Sequence, residues 1–333
     1  MRESFQAVVI EEKEGKAIAS IKDIGLGDLP DRDVLVEVAF SSLNYKDGLA
    51  LCGNRNKVAR KLPMVGGIDL AGTVVESKSP EWKPGDKVIV NGWGMSETQW
   101  GGFTRYQRVD SNWLLRLPDE FTFEQAMAIG TAGYTAALCV DALEKWGVIV
   151  PGAGEVLVTG AAGGVGSVAV ALLAAQGYNV TASTGRTSTH AYLRDLGARE
   201  IIERDSLAAK GGPIQKERWS GAVDSVGGVT LVNVLSQTVY GGAVAACGLA
   251  GGADLLGTVL PHILRGVALL GVDSVMAPRA KRKSAWARLA RDLRPESLSA
   301  ITRVEPMRNV LQLAEDIVAG RVRGRVVIDV TQP

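Results

Sequence analysis

Histidine is nearly missing from this chain: only His190 and His262 occur among 333 residues, beside three cysteines, Cys52, Cys139 and Cys247. The cysteines are odd in number, widely spaced and set among small apolar residues, so they read as reduced packing thiols and exclude a disulfide framework. Both histidines fall in the second half of the chain, where packing or a surface position is the expected role. Net charge is also small, since 37 basic and 36 acidic residues leave +1. That removes the overall electrostatic case for nucleic acid or an anionic membrane as the main partner. The N-terminal MRESFQAVVIEEKEG has charges on both sides of a short apolar stretch and lacks the core of a signal peptide, and no window approaches a spanning helix. A cytoplasmic protein is the default expectation.

What is present is length and glycine. The chain is too long for one ordinary core, which predicts two domains of roughly 150 residues each. Its 40 glycines exceed what an average soluble protein uses and imply many close backbone approaches. The first third reads as short β-branched strands, Val34 to Phe40, Gly72 to Val75 and Lys87 to Val90, bounded by Gly, Pro or Asp. After Leu117-Pro118-Asp119, Thr122 is placed to cap a helix over Glu124 to Ile129 and its alanine-rich continuation. Residues 154 to 290 then alternate apolar strands with small-residue helices: EVLVTG, VGSVAVALLAAQG, NVTAST, HAYLRDLGA, GAVDSVGG and GGAVAACGLAGG. That order is the signature of βαβ units on a parallel sheet. MRNVLQLAEDIVAG has helical spacing and stops at Gly320, and RVVIDV returns to strand character.

The most specific local signal starts at Glu155. The strand EVLV runs into Thr159-Gly160-Ala161-Ala162-Gly163-Gly164-Val165-Gly166, and a long helix follows. Here glycine lets the backbone approach a pyrophosphate, whose charge meets the free N–H groups of the helix N-terminus around Ala162, Gly163, Gly164 and Val165. An acidic residue at the end of the second strand would bind the ribose 2′-hydroxyl of NAD. None is there. NVTASTGR offers Ser183, Thr184, the Gly185 backbone and Arg186 instead, a donor set suited to the dianionic 2′-phosphate of NADPH. Arg204, where the next strand should end, brackets the same phosphate.

GGIDLAGTVVES, WKPGDKVIV and the GAAGGVG turn together resemble the medium-chain dehydrogenase/reductase superfamily across essentially the whole chain. The resemblance implies an α/β protein with two parts. A GroES-like β-rich catalytic domain would cover residues 1–125, completed by 300–333, and a doubly wound parallel-sheet Rossmann domain would cover 126–299. Zinc-dependent members bind catalytic zinc through a Cys and a His. This chain has Asn44 and Ile68 at those positions and no Cys-x-x-Cys cluster for structural zinc, so no metal is expected. The strings SLNYKD, VNGWGMSETQWGGF, ASTGRTSTHAYLRDLGA, AACGLAGG, ILRGVALLGVDSV and GRVVIDV bring it nearest the zinc-free quinone oxidoreductase branch, and within that the acryloyl-CoA reductase group.

Without a Lewis acid, the resemblance implies that catalysis depends on cofactor placement and on donors around the acceptor carbonyl. Tyr45, Asn44 and Asn91 are the candidates near the reacting atoms, and Tyr45 also contacts the cofactor. Further cofactor contacts fall at Leu249, Ser274 and Arg325. The run Arg279, Lys281, Arg282 and Lys283 reads as a site for coenzyme A phosphates, against the plainer reading of a solvated face. Two other functions stay open: an NADPH:quinone oxidoreductase, and a non-catalytic, crystallin-like NADPH-binding protein. By analogy with the family, the chain is expected to form homodimers through an edge strand drawn from Leu264 to Val275.

Overall fold

The computed structural model describes residues 4–332; Met1, Arg2 and Glu3 of the N-terminal segment read above, and Pro333, lie outside the described residues. In chain order, the first stretch contains β1 (Phe5–Lys13), β2 (Lys16–Ile24), β3 (Val34–Leu43), α1 (Tyr45–Leu51), β4 (Met64–Val65), β5 (Asp69–Ser77), β6 (Lys87–Asn91), β7 (Tyr106–Val109), β8 (Leu115–Arg116) and α2 (Phe123–Trp146). The alternating stretch follows as β9 (Glu155–Val158), α3 (Gly164–Ala175), β10 (Val180–Thr184), α4 (His190–Asp195), β11 (Glu200–Glu203), β12 (Trp219–Asp224), α5 (Gly228–Gln237), β13 (Thr238–Ala246), α6 (Leu260–Arg265) and β14 (Ala268–Gly271). The chain ends with α7 (Arg279–Asp292), α8 (Pro295–Ile301), β15 (Thr302–Pro306), α9 (Val310–Val318) and β16 (Arg325–Asp329).

These elements form two compact units. The first comprises residues 1–131, 275–283 and 298–333, and the second 132–274 and 284–297. The expected cut after residue 125 therefore falls six residues later, and 275–283 belong with the first unit. The physical reason lies in the contacts: Thr131 bonds to Asp69 and Arg282 bonds to the Asn91 carbonyl, both inside the first unit.

In the first unit, β16 lies antiparallel to β3, β3 to β5, β5 to β6 and β6 to β8, with β15 on the outer side of β16 and β7 also paired to β3. A smaller sheet runs β2-β1-β4. Val36, Val38, Leu70, Val88, Val90, Val326 and Ile328 point into one core with Met307 and Leu313. The C-terminus completes this sheet because RVVIDV has no exposed position: Arg325 to Val330 are all buried.

In the second unit, six parallel strands run β11-β10-β9-β12-β13-β14, the order in which two βαβαβ halves meet at β9 and β12. The stretch Leu264 to Val275 does supply its edge, through β14. The small residues of α3 let that helix lie close to the sheet, and Ser167 to Leu173 are buried along it.

α2 departs from one expectation. It is long and apolar enough to cross a membrane, but 89% of its apolar window is buried inside the protein, so it is a core helix. Thr122 caps it as expected: its hydroxyl accepts the Gln125 N–H at 3.2 Å and the Gln125 side chain accepts the Thr122 N–H at 2.9 Å. Gly130 (φ 51°, ψ −162°) breaks its helical path.

Candidate active site

The first unit contains a buried polar hub around Asp69, the first residue of β5. Its Oδ1 accepts from the Asn91 amide (2.7 Å) and the Thr131 hydroxyl (2.6 Å). Its Oδ2 accepts from the Ser42 hydroxyl (2.6 Å), the Asn44 amide (2.9 Å) and the Thr131 N–H (2.9 Å). Every partner donates, which is how a buried carboxylate is held without water. The countercharge is Arg325, buried on β16. It donates to the Ala128 carbonyl (2.9 Å), the Leu43 carbonyl (3.3 Å), the Asn44 side-chain oxygen (3.1 Å) and the Ser42 hydroxyl (2.9 Å). Gly130 makes room for this cluster: a Cβ there would fall 2.5 Å from Arg325 Nη2 and 2.6 Å from Ser42 Oγ.

A second carboxyl, Asp47, sits in the first turn of α1. Its Oδ2 accepts the Asn44 N–H (2.9 Å) and its Oδ1 the Ile68 N–H (3.0 Å). Burial, reinforced by the negative charge of Asp69, pushes the Asp47 carboxyl up to about 7, against the pull of the Asn44 and Ile68 donors. Burial holds the Arg325 guanidinium below its usual value, a shift that the charges of Asp69 and Asp47 oppose without cancelling.

This geometry revises three readings. Asn44 and Asn91 are indeed brought together, but on Asp69: both are buried, and the Asn44 amide is spent on Asp69 and Arg325. They hold the site's frame and do not face a substrate carbonyl. Arg325 is 2% exposed and bonded within the hub, so it does not reach out to a nucleotide. Tyr45 is different. It follows the helix-capping Asn44, and 40% of it is exposed.

The basic run is revised too. Arg282 is 2% exposed, with its guanidinium donating to the carbonyls of Ala277 (2.8 Å), Val275 (2.6 Å) and Asn91, and stacked on the Trp93 ring at 4.1 Å. It is an internal clasp, unavailable to phosphate. Arg279 is already paired with Glu81 at 3.0 Å, while Lys281 and Lys283 are exposed. Among the described residues no three His, Cys, Asp or Glu side chains gather as a metal would require.

The second unit carries the candidate nucleotide cradle at the carboxyl ends of its strands. Gly160 takes φ 58°, and a Cβ there would fall 2.6 Å from Ser225 Oγ. At Gly166 a Cβ would fall 2.4 Å from the Gly160 carbonyl, so only glycine lets the turn fold back on the helix. Gly163 caps α3 with no side-chain hydrogen bond, which leaves the first N–H groups of the helix for an anion. Ala162 is buried beneath them. Below the turn Thr159 donates to Asp224 (2.7 Å), which also accepts the Gly227 N–H (2.8 Å) and so ties the loops after β9 and β12 together.

The 2′-phosphate candidates converge at the end of β10. Arg186 Nη2 reaches the Ala162 carbonyl of the phosphate turn at 3.4 Å, and its N–H donates to the Thr184 hydroxyl at 3.2 Å. Ser183 and Thr184 are buried. The Arg204 guanidinium lies over Gly185, where a Cβ would sit 2.9 Å from its Cζ. Leu249 is exposed in the loop after β13, and its Cα would lie 3.3 Å from a Cβ on Gly227. Ser274 follows β14 and is half-buried. Uncapped helix N–H groups, glycines that admit no side chain and two arginines at one edge fit a dinucleotide carrying an extra phosphate.

Known proteins agree with this frame. Residues 30–119 match the alcohol dehydrogenase GroES-like domain family, and residues 164–291 the zinc-binding dehydrogenase family. The chain belongs to the medium-chain dehydrogenase/reductase superfamily. It is 51% identical over 329 residues to acrylyl-CoA reductase AcuI of Ruegeria pomeroyi, covering 98% of this chain and 99% of that protein. Within the superfamily it falls in the acrylyl-CoA reductase group. The yhdH oxidoreductase of Salmonella enterica, solved in complex with NADP, superposes with a TM-score of 0.95 at 48% identity, covering 97% of this chain and 99% of that one. The Bacillus subtilis protein yhfP, solved with NAD bound, gives 0.94 at 43% identity, covering 98% and 100%.

Asp69 and Asp47, which organise the polar hub of the first unit, were not read as site residues from the sequence. For Asp69 the signal was a single charge within the otherwise uncharged run IDLAGTVV, where a carboxylate has to find partners.

Proposed function

We propose that this chain reduces acryloyl-CoA to propanoyl-CoA with NADPH, without zinc. Full-length identity of 51% to an acrylyl-CoA reductase carries the substrate assignment, and the cradle flanked by Arg186 and Arg204 supports the cofactor. The N–H groups of Gly164 and Val165 hold the pyrophosphate, while Ser183, Thr184, Gly185, Arg186 and Arg204 hold the 2′-phosphate. Leu249 and Ser274 border the same cofactor. NADPH, when bound, supplies the hydride that adds to the β-carbon of the thioester. Negative charge then moves to the thioester oxygen, and a proton closes the reaction at the α-carbon. Tyr45, the exposed polar residue at the start of α1, donates a hydrogen bond toward that oxygen and then passes its proton to the α-carbon, and water reprotonates the phenolate. Zinc independence is supported by the donor set: the Asn44 amide is committed to Asp69 and Arg325, and Ile68 has no ligand atom.

Tyr45→Phe should lower kcat with acryloyl-CoA by about 100-fold, within the range of general-acid contributions, and leave NADPH affinity unchanged. Unchanged turnover would leave the ring as packing and assign the proton to water. On the same reading the enzyme is a cytoplasmic homodimer paired along the edge strand β14, beside which Ile263 and Leu264 are more than half exposed. Sedimentation equilibrium should give twice the monomer mass of 35.1 kDa, and a monomer at assay concentration would refute the pairing.

A further inference from the structure

The loop after β6 places an aromatic residue in the left-handed region of the backbone. Gly92, Trp93, Gly94 and Ser96 take φ values of 73°, 56°, 75° and 63°. Glycine adopts these freely, but a bulky aromatic residue there is a steric outlier that persists only where its surroundings impose it. The surroundings do so at both ends. Trp93 donates its N–H to the Val275 carbonyl at 2.9 Å, and the buried Arg282 lies flat on its ring while holding the carbonyls of Asn91, Val275 and Ala277. Further along, Glu97 accepts from Lys46 at 2.6 Å, so the loop is tied to the residue beside Tyr45. Asn91, at the loop's start, shares the Asp69 carboxylate with Asn44, on Tyr45's other side.

The orientation of the indole sets its chemistry. Its nitrogen is inaccessible to water and has no hydrogen-bond partner, although the residue as a whole is only partly buried. The ring is partly buried against the first unit's apolar core with its indole N–H turned away from water, so it presents hydrocarbon to its neighbours and serves as a wall and not as a donor. Backed by a guanidinium that is itself fixed by three carbonyls, the ring cannot swing aside. We infer that Trp93 is a specificity-determining residue that limits the length of the acyl chain admitted beside Tyr45, accepting acryloyl and rejecting chains extended beyond the β-carbon. The inference rests on the acryloyl-CoA reading.

The test compares kcat/KM for acryloyl-CoA and crotonyl-CoA, with NADPH, in the wild type, Trp93→Phe and Trp93→Ala. Wild type should favour acryloyl-CoA by about 10- to 200-fold, the range one methyl group commands in a fitted pocket. Trp93→Ala should raise kcat/KM for crotonyl-CoA in absolute terms and shrink that preference at least about tenfold, with Trp93→Phe in between. NADPH affinity and melting temperature report whether each variant is folded. If Trp93→Ala does not fold, the shift in preference of Trp93→Phe decides the question. Equal losses on both substrates, or an unchanged ratio in an active enzyme, would overturn the wall and leave the function standing. A wild-type protein inert with acryloyl-CoA would instead remove the functional reading, and the wall with it.

Discussion

Asp69→Asn should destabilise the protein by about 3–5 kcal/mol, the cost of breaking a buried charge pair, and depress turnover of acryloyl-CoA by about 100-fold or more, as displaced reacting groups do. The wild-type carboxylate accepts five hydrogen bonds from Ser42, Asn44, Asn91 and Thr131. An amide turns one acceptor into a donor, so at least one of those groups faces another donor in a place water does not reach. Arg325 also keeps its charge with less to balance it. Because Asn44 caps α1, the disturbance passes to Tyr45, whereas the glycine turn lies in the other unit. Denaturant unfolding and kcat/KM should therefore both change while NADPH affinity stays within about twofold, since binding terms at separate sites are independent.

The same variant has a pH signature. Asp47 ordinarily titrates near 3.8 but at about 7 in the fold, because of burial first and the Asp69 charge second. A carboxyl whose native pKa is raised holds a proton that the unfolded chain releases. Its contribution to stability is complete below 3.8 and is lost as pH rises through about 7. Melting temperature should fall across that window, and the fall should flatten in Asp69→Asn, where the charge that helps raise Asp47 is gone. An equal slope in both proteins would show that Asp47 and Asp69 are not coupled.

The second large effect concerns cofactor choice. Replacing both Arg186 and Arg204 by Ala should weaken NADPH binding by about 100-fold or more, because each removes a charge-assisted contact of about 1.5–3 kcal/mol. NADH, which has no 2′-phosphate, should change by less than about threefold, as expected when the lost contacts serve that group alone. Titration of tryptophan fluorescence with each nucleotide measures both. Parallel losses would place the arginines in the structure of the turn and not in recognition of the phosphate.

What could be read beforehand was local. The strand-turn-helix at Glu155 to Gly166, the capping of α2 by Thr122 and the βαβ alternation each lie within a few tens of residues, and the structure reproduces them. The hub could not be read in that way: Ser42, Asp69, Thr131 and Arg325 come together only when β16 pairs with β3 and α2 breaks at Gly130. Arg282 was legible but misread. Ala285, Trp286, Leu289 and Leu293 follow it at helical spacing and are all buried, so the periodicity placed Arg282 on the inner face of α7 while its charge suggested the surface. Trp93 stands in the string VNGWGMSETQWGGF, but its left-handed backbone gave no signal there, since it is imposed by neighbours as distant in sequence as Val275 and Arg282.

The most direct test of the whole account is to supply NADPH carrying deuterium at the transferable position, with acryloyl-CoA as acceptor, and to analyse the product. Stoichiometric NADPH oxidation and propanoyl-CoA labelled at the β-carbon are the predicted result. Deuterium at the α-carbon, or an enzyme that leaves acryloyl-CoA untouched while reducing a benzoquinone, would contradict it.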